Sequence, residues 1–277
     1  MIDLLRLCRL YYAIPMSSIL TLTIWYVAGN DITGQLWPAL YATIALALVI
    51  AGGYTLNDVR DRRVDRINAS HRPIPAGRTH PAIAATWAGG LLLGGLVTAS
   101  LCRWEYLVGL AGVVAILVFY DLTSKYLGIG KQLIVALLMT SYYPLSFSLV
   151  GETASSRVPT LYVFPIWLFL TSFGYETLKD IRDIPGDRTI ALQPTWVQRH
   201  PKVALAVARA AVTTGAFVLI GPALLGCGWV YAVIIPGAII LALWSTRLPR
   251  RTAMIAIYGE CVVVGVAALA DIMVLGS

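Results

Sequence analysis

The chain has 277 residues, of which 58% are hydrophobic and 13% charged, with a mean hydropathy of +0.76 and a net charge of +7. Soluble domains carry about 25% charged residues, so this composition excludes a disordered chain, a coiled coil and most soluble enzymes. It points to an integral membrane protein built mostly of spanning helices.

Hydropathy predicts nine spans, near 10–29, 36–56, 82–101, 105–121, 132–151, 160–178, 203–226, 228–246 and 253–275. Each is close to the roughly 20 residues that cross a bilayer. The first follows only Arg6 and Arg9, and no small-residue cleavage site comes after it, so it reads as a retained span rather than a signal peptide. No soluble domain is left over, and residues 1–277 are expected to form a single membrane-embedded domain. The longest polar stretches, 57–81 and 179–202, are expected as loops after spans two and six.

Of the 21 Lys and Arg, only Arg103, Arg157 and Arg209 fall outside the N-terminus and the loops after even-numbered spans. The positive-inside rule then places the N-terminus and these loops in the cytoplasm and the C-terminus outside, in the plasma membrane if the cell is prokaryotic. Most of these arginines are accounted for by topology. Nucleic acid is not an expected partner, because no basic soluble module is present. No protein partner is legible. Cys8, Cys102, Cys227 and Cys261 lie far apart, and His71, His80 and His200 do not cluster, which argues against a zinc site or a disulfide framework.

Six of the 14 acidic residues fall into two segments of identical spacing, D-x-x-D-x-x-x-D. Asp58, Asp61 and Asp65, preceded by Asn57, form the first; Asp180, Asp183 and Asp187 form the second. Positions i, i+3 and i+7 share one helix face, so each motif offers a column of carboxylates at the end of a span. Pro185-Gly186 is expected to break the second helix before Asp187. Stacked carboxylates repel, and the arrangement makes sense around a cation. Hard oxygen donors favour Mg²⁺, which is usually held by a few carboxylates together with a substrate's phosphates. Two such clusters could clamp a diphosphate, with Arg66, Arg72, Lys125 and Lys179 as candidates to neutralise it. A transporter would also carry intramembrane acids, but these acids sit at helix ends in arginine-rich loops. Glu260 and Arg209 are the charged residues deep in apolar spans, and structural roles are favoured for both. Gly52-Gly53, Gly89-Gly90 and Gly94-Gly95 are expected to allow close helix packing.

The run Asn57-Asp58-x-x-Asp61-x-x-x-Asp65 followed by His71-Arg72-Pro73-Ile74-Pro75-Ala76-Gly77-Arg78 resembles the UbiA superfamily of membrane prenyltransferases. Lys179-Asp180-Ile181-Arg182-Asp183-Ile184-Pro185-Gly186-Asp187-Arg188 is similar to that family's second motif. The resemblance covers essentially the whole chain. It implies an all-α bundle of nine transmembrane helices around a central cavity. The implied reaction is Mg²⁺-dependent: a prenyl diphosphate ionises to an allylic cation, and an acceptor attacks it. By the same resemblance, Asn57, Asp58, Asp61, Asp65, Asp180, Asp183 and Asp187 belong to the metal set. Asn57, Arg72 and Lys125 belong to the diphosphate set, with Arg72 either binding phosphate or fixing its loop; Arg66 and Lys179 join that set only as cations near the motifs. Tyr54, Tyr120, Asp121 and Tyr175 are expected to face the cavity.

Within the superfamily the motifs are most similar to digeranylgeranylglyceryl phosphate synthases and chlorophyll synthases. Departures at Tyr175-Glu176, Gly130-Lys131 and Ala191–Thr195 leave the acceptor open among an aromatic ring, a lipid alcohol or another small nucleophile. A terpene cyclase on the same scaffold is the alternative, since Tyr142, Tyr143, Phe147, Trp167, Phe173 and Tyr175 on spans five and six could stabilise a cation. Tyr and Trp are equally ordinary interfacial anchors.

Overall fold

An apolar run in hydrocarbon must satisfy its backbone groups internally, and the helix is the local way to do so. The computed structural model describes residues 2–29, 34–124, 126–151, 156–187 and 194–276, and among these every regular element is helical. A short α1 (Ile2–Leu7) precedes α2 (Leu10–Ala28) and α3 (Leu36–Arg60). Then come α4 (Arg62–Asn68), α5 (Pro81–Ala99) and α6 (Trp104–Thr123). The fifth span is α7 (Gly130–Thr140) plus α8 (Tyr142–Val150), and the sixth is a 3-10 turn (Val158–Tyr162) leading into α9 (Phe164–Asp187). After α10 (Trp196–Arg199), the seventh span is α11 (Pro201–Val218) plus α12 (Ile220–Leu225). The last two are α13 (Trp229–Ser245) and α14 (Arg250–Leu275). Eight of these units are long and apolar enough to cross a membrane, and α13 is a shorter apolar ninth.

Two predicted spans are interrupted. Proline has no N–H to donate four residues back. Pro144 therefore cannot bond Thr140, where α7 ends, and Pro222 cannot bond Val218, where α11 ends. Pro185, by contrast, does not break its helix: α9 runs on to Asp187. It lies in the last turn, where one lost bond costs little propagation. Residues 57–60 and 179–187 are likewise helical extensions of spans two and six, not loop.

Sequence neighbours pack side by side, and α14 returns against α9 and α2 to close the bundle around a cavity. Small residues set the closest approaches. A Cβ on Gly95 would lie 2.7 Å from Val49 Cγ2 and 2.9 Å from the Ala45 carbonyl, so α5 and α3 touch backbone to side chain there. Gly52 and Gly53 are similarly covered, by Leu92 and Leu117. Gly89 and Gly90 face open space and Gly94 meets only Leu48 at 3.8 Å, so those three do not serve helix packing within the chain. Core tyrosines are anchored by backbone carbonyls, Tyr106 on Ala42 (2.8 Å) and Tyr231 on Leu219 (2.9 Å).

The two ends of the bundle are pinned differently. Near the N-terminus, Arg9 pairs with Asp58 at the end of α3. At the opposite end, buried Arg157 pairs with fully buried Asp271 of α14 and donates to the Gly276 carbonyl at 2.6 Å. Asp271 also accepts the amides of Gly228 (2.8 Å) and Tyr231 (3.0 Å) at the start of α13.

Candidate active site

The first acidic motif spans the joint between α3 and α4. The helical bonding survives the joint, since the Asp61 amide donates to Asn57 O and the Asp65 amide to Asp61 O, both at 2.8 Å. Pitch therefore keeps Asn57, Asp58, Asp61 and Asp65 on one side. Asn57 Nδ2 donates to Asp61 Oδ2 at 3.1 Å. Arg72 Nη1 bridges Asp58 (3.2 Å) and Asp65 (2.6 Å) from the turn-rich segment that follows. That segment is held by the Ala76 amide on Arg72 O (3.0 Å) and by Gly77 in a left-handed conformation, φ +73°. Arg72 thus fixes its loop and lines the cavity at once. Burial pushes the Asp65 carboxyl up to about 6, against the opposing pull of the Arg72 guanidinium.

The second motif lies along the last turns of α9. Asp180 accepts Lys131 Nζ at 2.5 Å and Gln132 Nε2 at 2.6 Å, both from α7. Gln132 Oε1 accepts the Trp196 indole N–H at 3.2 Å, so one buried amide joins α7, α9 and α10. Lys179 pairs with Glu176 (2.8 Å), one turn away. Arg182 grips both oxygens of Asp183, at 2.7 and 2.9 Å. Asn68 Nδ2 donates to the Asp183 carbonyl at 3.2 Å, which ties the first motif to the second.

Between the motifs opens a cavity of about 2090 Å³, well above the usual 300–1,000 Å³ of a small-molecule site. Its mouth carries Asp61, Asp65, Arg72, Lys131, Lys179 and Asp183. Tyr12, Tyr54, Tyr120, Tyr142 and Tyr175 also line the cavity, and Val49, Leu117, Met139 and Leu168 are among its apolar residues. Asp121 also lines it, and its Oδ2 is buried without a hydrogen-bond partner among the described residues. A charged mouth over an apolar interior suits an anionic head with a long hydrocarbon tail.

Most residues read from sequence meet here: Asn57, Asp58, Asp61, Asp65, Arg72, Lys179, Asp180, Asp183, Tyr54, Tyr120, Asp121 and Tyr175 all line the cavity. Arg66 is exposed on α4 and is not among the residues lining the cavity. Lys125 and the side chain of Asp187 lie outside the described residues. Of the aromatic set on spans five and six, Tyr142 and Tyr175 line the cavity, whereas Tyr143, Phe147, Trp167 and Phe173 pack elsewhere. Glu260 is fully buried, with Oε1 on Trp167 Nε1 at 2.7 Å.

The carboxylates of the two motifs do not stand alone. Among the described residues no three carboxylate, histidine or cysteine groups gather as a metal cage. Asp58 and Asp65 are matched by arginines and Asp180 by Lys131, because buried like charges must each be compensated. A hard cation nevertheless fits. Mg²⁺ needs only one or two carboxylates when phosphates and water complete its shell, and Asn57, Asp61 and Asp183 line the cavity with oxygens whose further lone pairs could reach an ion, although Asp183 is also held by Arg182 and Asp61 by Asn57.

Sequence reasoning missed Arg9, Lys131, Gln132, Glu176 and Arg182. Arg9 has φ +46°, rare for a residue with a Cβ. That turn between α1 and α2 swings its guanidinium onto Asp58 and over the Tyr54 ring, 4.9 Å from the centroid. The signal available for Arg9 and Lys131 was only their place beside a span, which topology already explained.

The model of the UbiA prenyltransferase family matches residues 17–258. The digeranylgeranylglyceryl phosphate synthase of Methanopyrus kandleri is 33% identical over 210 residues, covering 75% of this chain and 75% of that protein. The apo structure of a UbiA homologue from Aeropyrum pernix superposes with a TM-score of 0.78 at 18% identity, over 96% of this chain and 98% of the other. A UbiA homologue from Archaeoglobus fulgidus bound to GPP and Mg²⁺ superposes with a TM-score of 0.73 at 18% identity, over 98% and 100%.

Proposed function

Because the chain belongs to the UbiA prenyltransferase family and is an intramembrane prenyltransferase, we propose that it transfers the prenyl group of a polyprenyl diphosphate to a lipid alcohol bearing a glycerol phosphate. The observation that carries this is the pairing of two acidic helix ends, cation-studded, across the mouth of one apolar cavity. The acceptor class follows from the Methanopyrus relative, named for a glyceryl phosphate product. We read residues 1–277 as one domain, with the N-terminus and acidic motifs cytoplasmic and the C-terminus outside.

The donor's tail lies along the apolar wall and its diphosphate sits at the mouth. Arg72, Lys131 and Lys179 face the phosphates and stabilise the negative charge that grows as the C1–O bond breaks. The electron pair leaves with the diphosphate, the acceptor hydroxyl oxygen attacks C1, and the hydroxyl proton passes to the released diphosphate. Asn57, Asp61 and Asp183, with Asp187, would hold Mg²⁺, which when bound supplies Lewis-acid activation of the leaving group. Tyr54, Tyr120 and Tyr175 wall off water and offer π-faces to the allylic cation.

Diphosphate release tests this, using detergent-purified protein, Mg²⁺ and geranyl, farnesyl or geranylgeranyl diphosphate, with extracts read by mass spectrometry. Slow release that accelerates when a glycerol phosphate lipid is added, with a prenyl ether formed, is the expected result. Fast release without acceptor, giving a cyclic product, would make the protein a terpene cyclase. No release from folded protein with any donor would overturn the assignment.

A further inference from the structure

We propose that a second cavity, outside the prenyl site, binds the phosphate head group of an anionic membrane lipid. It measures about 720 Å³ and lies among α9, α11 and the start of α14. Arg182, Arg209, Arg250 and Arg251 line it, together with Thr252, and no carboxylate does. Leu178, Leu205 and Val212 give it an apolar side.

Arg209 makes the case. It lies eight residues past Pro201, about 12 Å along the axis of α11, in a span otherwise free of charge once Lys202 is passed. A guanidinium at membrane depth is costly and normally has a partner. Arg209, Arg250 and Arg251 are exposed, whereas other arginines of the bundle are paired: Arg9 and Arg72 on Asp58, Arg157 on Asp271, Arg182 on Asp183. Among the described residues, no hydrogen bond or ion pair reaches Arg209, Arg250 or Arg251. Topology alone explains arginines in a loop, not one set inside a span and lining a concavity that three others share.

The electrostatics are one-sided. The first turn of α14 contains two arginines and no acid, and no side chain caps it. Positive side chains there add to the positive end of the helix dipole, an unfavourable arrangement that an anion reverses. Guanidinium forks match phosphate oxygens two at a time. The adjoining Leu205 and Val212 suit an acyl chain, which a free anion lacks. Basic pockets between spanning helices are a recurrent form of lipid recognition. Arg182 and Arg251 line both cavities, so the lipid would share a wall with the second acidic motif.

The test is native mass spectrometry of the full-length protein with phosphatidylglycerol or phosphatidylcholine of identical acyl chains, alongside thermal unfolding. Retention of phosphatidylglycerol over phosphatidylcholine is expected. The Arg209→Gln/Arg250→Gln variant should lose that preference by on the order of tenfold. Arg62→Gln/Arg63→Gln, on the exposed face of α4, should keep it. Equal retention of both lipids by the unaltered protein would overturn the proposal. So would loss of preference in the α4 variant, which would mean diffuse surface charge. Equal stabilisation by inorganic phosphate or diphosphate, lost in Arg209→Gln/Arg250→Gln, would make the cavity a soluble-anion site and overturn the lipid assignment. If the double variant does not fold, Arg209→Lys, which keeps charge but not the fork, should show a reduced preference.

Discussion

Replacing Gly174 by alanine tests the approach of α9 to α11 directly. Two effects oppose. Removing a glycine from a helix interior gains about 1 kcal/mol in propensity. Against that, the new Cβ would sit 2.6 Å from Val212 Cγ2 and 2.9 Å from the Ala208 carbonyl oxygen. The Val212 methyl can rotate aside, but the carbonyl moves only if α11 moves, by roughly 0.5 Å to restore ordinary contact. Overpacking of this kind costs about 1–3 kcal/mol, so the clash wins and Gly174→Ala is destabilised by about 1–2 kcal/mol net. For a chain of this size that is a fall in Tm of a few degrees, roughly 2–4 °C per kcal/mol. Asp180 and Asp183 follow on the same helix, so displacement should also slow prenyl transfer. Combining it with Val212→Ala should recover only part of the loss, because the Ala208 carbonyl remains. Thermal unfolding of both single variants and the double, with transfer rates, closes the cycle. A Gly174→Ala protein more stable than its parent would refute the described approach of the two helices.

Asp61→Asn and Asp183→Asn should each lower diphosphate release by about two orders of magnitude or more, as should chelation of divalent ions; full activity in EDTA would exclude Mg²⁺ from the reaction. Gln132→Leu removes one donor from Asp180 and frees the Trp196 indole, so stability should fall by about 1–3 kcal/mol and KM for the diphosphate should rise. An unchanged KM would disconnect α10 from the site. Arg157→Met strips the cation from buried Asp271 and should cost about 3–5 kcal/mol, yet the folded fraction should transfer prenyl groups at the parent rate. A rate that drops while unfolding is unchanged would contradict that separation. Glu260→Gln keeps an acceptor for Trp167 and removes the charge at Oε2, which has no hydrogen-bond partner among the described residues; stability and rate should both stay near parental values, and a large loss of rate would give Glu260 a chemical role.

The spans were legible because the bilayer imposes one length and one polarity on every crossing segment. The interruptions at Pro144 and Pro222 were visible as prolines but vanish when hydropathy is averaged over a window. Pro185 shows that a proline's effect depends on how many turns remain after it, which composition does not state. The acidic motifs were legible because their spacing matches helix pitch. Their compensation was not: Arg9 meets Asp58 and Lys131 meets Asp180 across 49 residues each, and no local pattern announces such a pair. The spacing points to a cation among the carboxylates, and arginine and lysine of the chain itself carry much of that charge. Glycine pairs posed a similar problem, since Gly52 is tightly covered and Gly89 faces open space. Only the rotation of each helix separates them.

The pair of Arg157 and Asp271 also has a consequence in time. The two residues are 114 positions apart, and at a synthesis rate of about 5–20 residues per second the arginine waits roughly 6–23 s for its carboxylate. During that interval the second acidic motif and the last spans are added, while the Asp271 carboxylate is still missing from the far end of the bundle. Final closure is therefore timed by the last helix, and a nascent chain stalled before Asp271 would lack the carboxylate that joins Arg157 to the amides opening α13.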